Sequence, residues 1–109
     1  MNSAKRKRLE AAGWQVGSAE EFLGLSPEEV ELVEMKLALG QFLKRHRTRR
    51  RLTQAALAER LGSSQSRVAK LESGVRGTTL DLLFRALFAS GATTDDISRE
   101  IRHKKKRAA

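Results

Sequence analysis

Two short segments in the middle of the chain, each opened by hydroxyl residues and closed by a glycine, constrain its fold most. Thr53 precedes an apolar pattern that stops at Gly62, and Ser63 and Ser64 precede a second pattern that stops at Gly74. Hydroxyl side chains cap helix N-termini, and glycine readily adopts the left-handed conformation that ends a helix. The spacing predicts two short helices joined by a tight turn, a helix-turn-helix arrangement over residues 53–74.

Helical signals also flank this pair. Upstream, Ser26-Pro27-Glu28-Glu29 has the capping-box pattern with proline at the first helical position. The apolar stripe that follows predicts a long helix to about Arg50. Downstream, Thr79 caps a helix predicted to end at Gly91, and Thr93 to Asp96 precede a last short helix. The last short helix carries Ile97 and Ile101 one turn apart. The residues of the helix after Thr79 that are expected to face the core are Leu80, Leu83, Phe84, Leu87 and Phe88.

The length and composition are those of one small helical domain. The chain has 109 residues with 39% hydrophobic residues but only one proline, and no strand pattern stands out. We expect an all-α bundle of about five helices with an N-terminal helical leader and basic tails. The predicted organisation is a basic disordered tail at 1–12, a helical domain at 13–102 whose leader covers 13–35, and a basic C-terminal tail at 103–109.

Positive charge suggests a polyanionic partner. The formal net charge is +9, and residues 40–52 contain six Lys or Arg and no acid. A nucleic acid is the natural partner, with an anionic membrane surface as the weaker alternative. The chain lacks cysteine, and no apolar run approaches the roughly 20 residues of a membrane helix. We therefore expect a soluble cytoplasmic protein.

The second helix of the pair has two unlike sides. At 100° per residue, Val68 and Leu71 fall on one side, while Ser66, Ala69, Lys70 and Ser73 fall on the other with Gln65 at its edge. Small polar residues allow close approach to base edges, and lysine reaches guanine or phosphate. Major-groove recognition is favoured over an ordinary solvent face.

The motif residues resemble those of a known family. The run LTQAALAERLGSSQSRVAKLESG, residues 52–74, is similar to the helix-turn-helix of the XRE family, to which the lambdoid phage repressors and Cro belong. The resemblance covers roughly Met35 to Ser90. It implies a lambda-repressor-like fold and a transcriptional regulator associated with bacterial or phage DNA. The regulator is expected to bind a double-stranded DNA operator as a homodimer, since one recognition helix covers only a few base pairs.

The same resemblance implies roles for individual residues. Gln65 and Ser66 are expected to read bases, with Lys70 one turn further on. A phosphate contact is expected from Gln54 at a helix N-terminus. Arg47 is expected to form a structural ion pair with Glu72. The remaining candidates for phosphate contact are Arg67, Arg50, Arg51, Thr53 and Ser64, of which Thr53 and Ser64 are better explained as helix caps.

A looser resemblance concerns the leader. The leader, with Trp14, Phe22 and Leu23, and the pattern Leu87 to Ala92 are similar to antitoxin-type XRE regulators of the HigA kind. That similarity implies repression of its own operon and a small ribonuclease toxin as partner. The simpler interpretation makes the three apolar leader residues core or staple residues. The acidic stretch Glu20 to Glu34 either faces a basic toxin or sits at helix N-termini.

Nothing in the sequence points to an enzyme, a metal or another cofactor. Neither histidine stands in a triad-like or metal-ligand pattern, and we expect His46 to be a surface residue. The pair Asp95-Asp96 is better explained by helix capping than by catalysis. Two alternatives to the antitoxin remain. One is an XRE-family regulator with no toxin partner, and the other is an unspecific nucleic-acid binder, whose affinity would fall with salt on all sequences alike.

Overall fold

The structure, a computed structural model, describes Ala4, residues 24–74 and residues 78–108, with the backbone alone for 104–108. This part of the chain contains five α-helices and no strand, as the sequence predicts. They are α1 (Pro27–Arg49), α2 (Gln54–Leu61), α3 (Gln65–Ser73), α4 (Leu80–Ala89) and α5 (Thr94–Ala108). Residues 1–3 and 5–23, with Trp14, Phe22 and Leu23, lie outside the described residues.

The predicted caps define where the helices begin. Ser26 forms a capping box with Glu29, whose backbone N–H donates to Ser26 Oγ at 3.2 Å while Glu29 Oε1 accepts from the Ser26 N–H. Thr53, Ser64 and Thr79 each accept a backbone N–H in the first turn of α2, α3 and α4. These side chains satisfy N–H groups that the helices cannot pair internally.

Helix α1 ends in a way that the sequence does not signal. Arg51 follows it with a φ of 57°. Its N–H donates to Thr48 O, and the N–H of Leu52 donates to Arg47 O, which is the Schellman pattern. Glycine is the usual residue at that position, because the left-handed conformation costs other L-residues about 1–2 kcal/mol.

The core lies where α1, the α2–α3 pair and α4 meet. Its largest fully buried side chains are aliphatic, and Ile97 joins them from α5. The two glycines Gly62 and Gly74 end α2 and α3 with left-handed φ values, as predicted. The fully buried leucines and valine are Leu39, Leu43, Leu57, Val68, Leu71, Leu83 and Leu87.

For two side chains the predicted burial is wrong. Phe88, expected in the core, is 49% exposed, because the buried stripe of α4 passes through Leu83, Ala86 and Leu87 instead. His46, expected on the surface, is buried, because it continues the inward stripe of α1 one turn after Leu43. Its neighbours in sequence are basic, but helical periodicity decides its burial.

The last helix is longer than predicted. Thr93 caps it, since its Oγ1 accepts from the Asp96 N–H at 3.1 Å and its own N–H donates to Asp96 Oδ2 at 2.9 Å. Helix α5 then continues to Ala108, through residues expected to form a tail. No Gly or Pro interrupts the sequence there, and Lys, Arg and Ala are good helix formers.

Candidate nucleic-acid interface

The outward side of α3 is polar and open. Gln65, Ser66 and Lys70 are exposed, whereas Val68 and Leu71 on the opposite side are buried. Gln65 and Lys70 make no side-chain hydrogen bond within the described part of the chain, so their polar groups face solvent. Ser66 Oγ lies 3.2 Å from Ser64 Oγ, and Ser73 Oγ bonds to Lys70 O at 3.0 Å. This side presents donors and acceptors without bulk, the form that base edges in a major groove require.

A buried ion pair fixes α3 to α1. Arg47 Nε donates to Glu72 Oε2, and Arg47 Nη2 donates to Glu72 Oε1 at 3.1 Å, which makes the pair bidentate. Arg47 Nη1 also donates to Leu52 O at 2.8 Å. Glu72 is 5% exposed. A bidentate guanidinium–carboxylate pair fixes orientation as well as distance, so α3 is locked in angle against α1.

Gln54 extends this network to α2. Its Nε2 donates to Glu72 Oε1 at 3.0 Å, so one carboxylate is shared by residues of α1 and α2. Gln54 is also the first residue of α2, where the backbone N–H groups have no partner within the helix. Such N–H groups favour an anion. The second amide hydrogen of Gln54 remains available for the predicted phosphate contact.

The capping hydroxyls are occupied in the way the helices need. Thr53 Oγ1 accepts from the Ala56 N–H at 3.0 Å, and Ser64 Oγ accepts from the Arg67 N–H at 3.2 Å. Both residues are exposed. A hydroxyl that accepts a backbone N–H can still donate its own hydrogen, so capping and phosphate contact are compatible.

Arginines surround the motif at several points. Arg50 and Arg51 are exposed at the end of α1, and Arg50 Nη2 lies 3.5 Å from Gly91 O. Arg67, from α3, lines a cavity of about 160 Å³ together with Arg85 of α4. Arg85 is not among the residues predicted from the sequence, although the helical period alone places it on the exposed side of α4. The other residues lining this cavity are Leu61, Gly62, Ser63, Leu71 and Leu82.

His46 is buried, and its surroundings favour the neutral form of its imidazole ring. Burial lowers the pKa of His46, and the positive charge of Arg50 lowers it further, while Asp96 acts in the opposite direction. Its Nδ1 lies 3.0 Å from Ser90 Oγ, which itself donates to Leu87 O at 2.7 Å. Since Ser90 uses its hydrogen on that carbonyl, His46 Nδ1 must carry the proton that joins the two side chains.

Acidic groups are engaged in capping. The backbone N–H of Thr93 is the main cause of the lowered pKa of Asp96, which also pairs with Arg99. The pKa of Glu28 is lowered by its own backbone N–H and by Ser26. These contacts favour the capping interpretation of Asp96 and of the acids that begin α1. Within the described residues no group of three acidic, histidine or cysteine side chains is arranged to hold a metal ion.

The fold and the open polar side of α3 define a helix-turn-helix DNA-binding domain. A family model described as a helix-turn-helix domain matches residues 38–99, more than half of the chain, and the protein belongs to that family. No curated protein and no solved structure matches the chain significantly. None of the described helices is both long enough and apolar enough to cross a membrane.

Proposed function

We propose that this protein is a sequence-specific transcriptional regulator of the XRE type, which binds a double-stranded DNA operator as a homodimer and represses its own operon. The observation that carries the proposal is the open polar side of α3, held against α1 by the buried Arg47–Glu72 pair. A recognition helix needs both an exposed readout surface and a fixed orientation. No catalytic role or cofactor forms part of the proposal.

The residues divide by what they would contact. Gln65 and Ser66, at the N-terminal end of α3, would read bases, since a glutamine amide can bond adenine through two hydrogen bonds. Lys70 would contact a third base. The contacts proposed for phosphates come from side chains around the motif and set register without reading sequence, and they involve Gln54, Arg67, Thr53, Ser64, Arg50 and Arg51.

Selection from a random duplex pool tests this function. The protein is expected to enrich a site with two inverted half-sites about one helical turn apart, and DNA upstream of its own gene should contain that site. The variant Gln65→Ala should enrich a site with one relaxed position, while Ser98→Ala, an exposed change on α5, should enrich the wild-type site. Selection without any enriched sequence would favour the unspecific nucleic-acid binder instead.

The antitoxin hypothesis extends this proposal to a protein partner. Its apolar leader residues Trp14, Phe22 and Leu23 lie outside the described residues. Glu29, in the acidic stretch, is engaged by the capping box. This contact supports the interpretation that acids of the stretch sit at a helix N-terminus and do not face a toxin. Coexpression with the product of the adjacent gene tests the hypothesis directly. A stable complex that inhibits ribonuclease activity would support it, and the absence of a complex would remove it.

A further inference from the structure

Helix α4 exposes an aromatic pair that the core does not use. Phe88 is 49% exposed, and its ring stacks on the half-buried ring of Phe84 with 6.5 Å between centroids and 22° between planes. Among the described residues the other large exposed hydrophobic side chain is Leu32 on α1. Two stacked aromatic rings carry far more apolar area than a single leucine.

The aromatic pair belongs to a defined side of the helix. At 100° per residue, Asp81, Phe84, Arg85 and Phe88 fall within one third of the circumference. The structure agrees, since Asp81 and Arg85 are exposed beside Phe88. These four residues form the α4 outer face. The core takes the opposite side through Leu83, Ala86 and Leu87.

The α4 outer face is electrically neutral in a strongly basic protein. Asp81 and Arg85 are one turn apart, and neither forms an ion pair within the described part of the chain. The chain as a whole carries a net charge of +9. Two copies therefore repel each other over most approaches, and the cost of contact is lowest where the local charge cancels.

The face is also complementary to itself. A two-fold axis pairs a surface with its own copy, so residue i meets residue j and j meets i. If two copies of α4 cross antiparallel about a point between Phe84 and Arg85, the four aromatic rings come together. Each Asp81 then lies about one turn from the partner's Arg85 along the helix, within reach of its long side chain.

We propose that the α4 outer face is the surface through which two copies of this chain dimerise. The inference rests on the proposed function, which requires a homodimer, and it adds the interface. Arg85 and Leu82 line the same cavity as Ser63 and Arg67 of the motif, so the face adjoins the turn between α2 and α3. Arg67 lies at the edge of α3, which leaves the outward side with Gln65, Ser66 and Lys70 open to DNA.

Charge exchange tests the interface without DNA. Sedimentation equilibrium should show a dimer for the wild type. In Asp81→Arg each contact would join two arginines, and in Arg85→Asp two aspartates, so each variant should raise the dimer dissociation constant roughly tenfold or more. Mixing the two variants should restore dimers, because each contact in the mixed dimer again joins Arg to Asp. Circular dichroism checks that both variants fold.

A second pair of variants tests the aromatic part. Phe88→Ser should raise the dissociation constant by roughly thirtyfold or more, because a dimer of this variant loses the Phe88 ring from both copies. Leu32→Ser removes a similarly exposed hydrophobic side chain and should leave the dimer unchanged. A wild type that stays monomeric at every accessible concentration would overturn the proposal. So would dimers that tolerate all three α4 changes, or variants whose mixture fails to reassociate.

A DNA measurement separates this interface from the proposed function. On a duplex with a single half-site, Phe88→Ser should bind as tightly as the wild type. On a duplex with two half-sites the wild-type dimer should bind more tightly than on one, and Phe88→Ser should lack that gain in affinity. If the wild type binds a half-site tightly and the α4 substitutions leave the dimer dissociation constant unchanged, the proposed interface alone is overturned. If the wild type binds no specific half-site, the proposed function fails, whatever the α4 substitutions do to the dimer.

Discussion

Gly40 of α1 packs directly against Leu71 of α3, since a Cβ atom at position 40 would lie 2.6 Å from the Leu71 carbonyl oxygen. The next nearest atom, the carbonyl oxygen of Glu72, would be 2.9 Å away. Both are backbone atoms, which cannot move aside as the end of a flexible side chain can. The missing side chain therefore sets how closely α1 approaches the end of α3.

Gly40→Ala should destabilise the protein by about 1–3 kcal/mol, the cost of overpacking against a rigid neighbour. In an open helix the same change stabilises by up to about 1 kcal/mol, because alanine is the better helix former. Chemical denaturation of both proteins measures the difference in the free energy of unfolding. A more stable Gly40→Ala variant would show that α1 and α3 are not in close contact there.

Arg47→Met should destabilise the fold by about 3 kcal/mol or more, because it leaves the buried Glu72 carboxylate without its main partner. The double variant Arg47→Met with Glu72→Met should lose much less, since no buried charge then remains. Denaturation of the two single variants and the double variant gives the coupling energy. Additive losses would contradict the pairing.

Arg51→Gly should raise the free energy of unfolding by up to about 1 kcal/mol, because glycine adopts the left-handed conformation without strain. If Arg51 contacts phosphate, the same change weakens binding to every duplex alike and lowers the salt slope by about one. Arg51→Lys keeps the charge and should keep the slope. A stabilised variant with unchanged DNA binding would remove Arg51 from the proposed contacts.

Gln65→Ala and Gln54→Ala should weaken DNA binding in different ways. Loss of a base contact at Gln65 should cost about 1–3 kcal/mol on the selected site and relax one base pair. Gln54→Ala should weaken all duplexes similarly, because phosphates carry no sequence information. Binding curves on a set of single-base variants of the site separate the two. A sequence-selective loss in Gln54→Ala would assign it a different role.

His46 should make the fold sensitive to mild acid. Its pKa is lowered in the folded protein, so the unfolded chain, with a pKa near 6.5, takes up the proton first as the pH falls. Stability should be full above about pH 6.5 and decline below it until the folded protein also becomes protonated. His46→Asn keeps a donor toward Ser90 and should reduce that decline. An identical pH profile in both proteins would contradict this role.

The helix boundaries of the motif were predictable because they depend on local chemistry. Thr53 and Ser64 cap, and Gly62 and Gly74 terminate, through contacts with residues three or four positions away. The period of the apolar residues also places Val68 and Leu71 in the core. These signals involve only residues that are close in sequence, so they can be recognised without knowing how the helices pack.

Other features depend on distant partners and could not be read locally. Burial of His46 requires Ser90, which follows it by 44 residues, to accept its hydrogen bond. The exposure of Phe88 follows from the angle at which α4 packs, which decides which of its apolar residues reach the core. The hydrogen bond from Gln54 to Glu72 joins two helices and has no signature in either segment.

Fluorescence anisotropy with the selected duplex and a scrambled duplex of the same composition, each over a range of salt concentrations, tests most directly whether α3 reads sequence. We predict binding to the selected duplex that is tighter by about a thousandfold or more at physiological salt. Equal affinity for both duplexes, falling with salt along the same slope, would mean that the protein recognises charge alone and would contradict the proposed readout by α3.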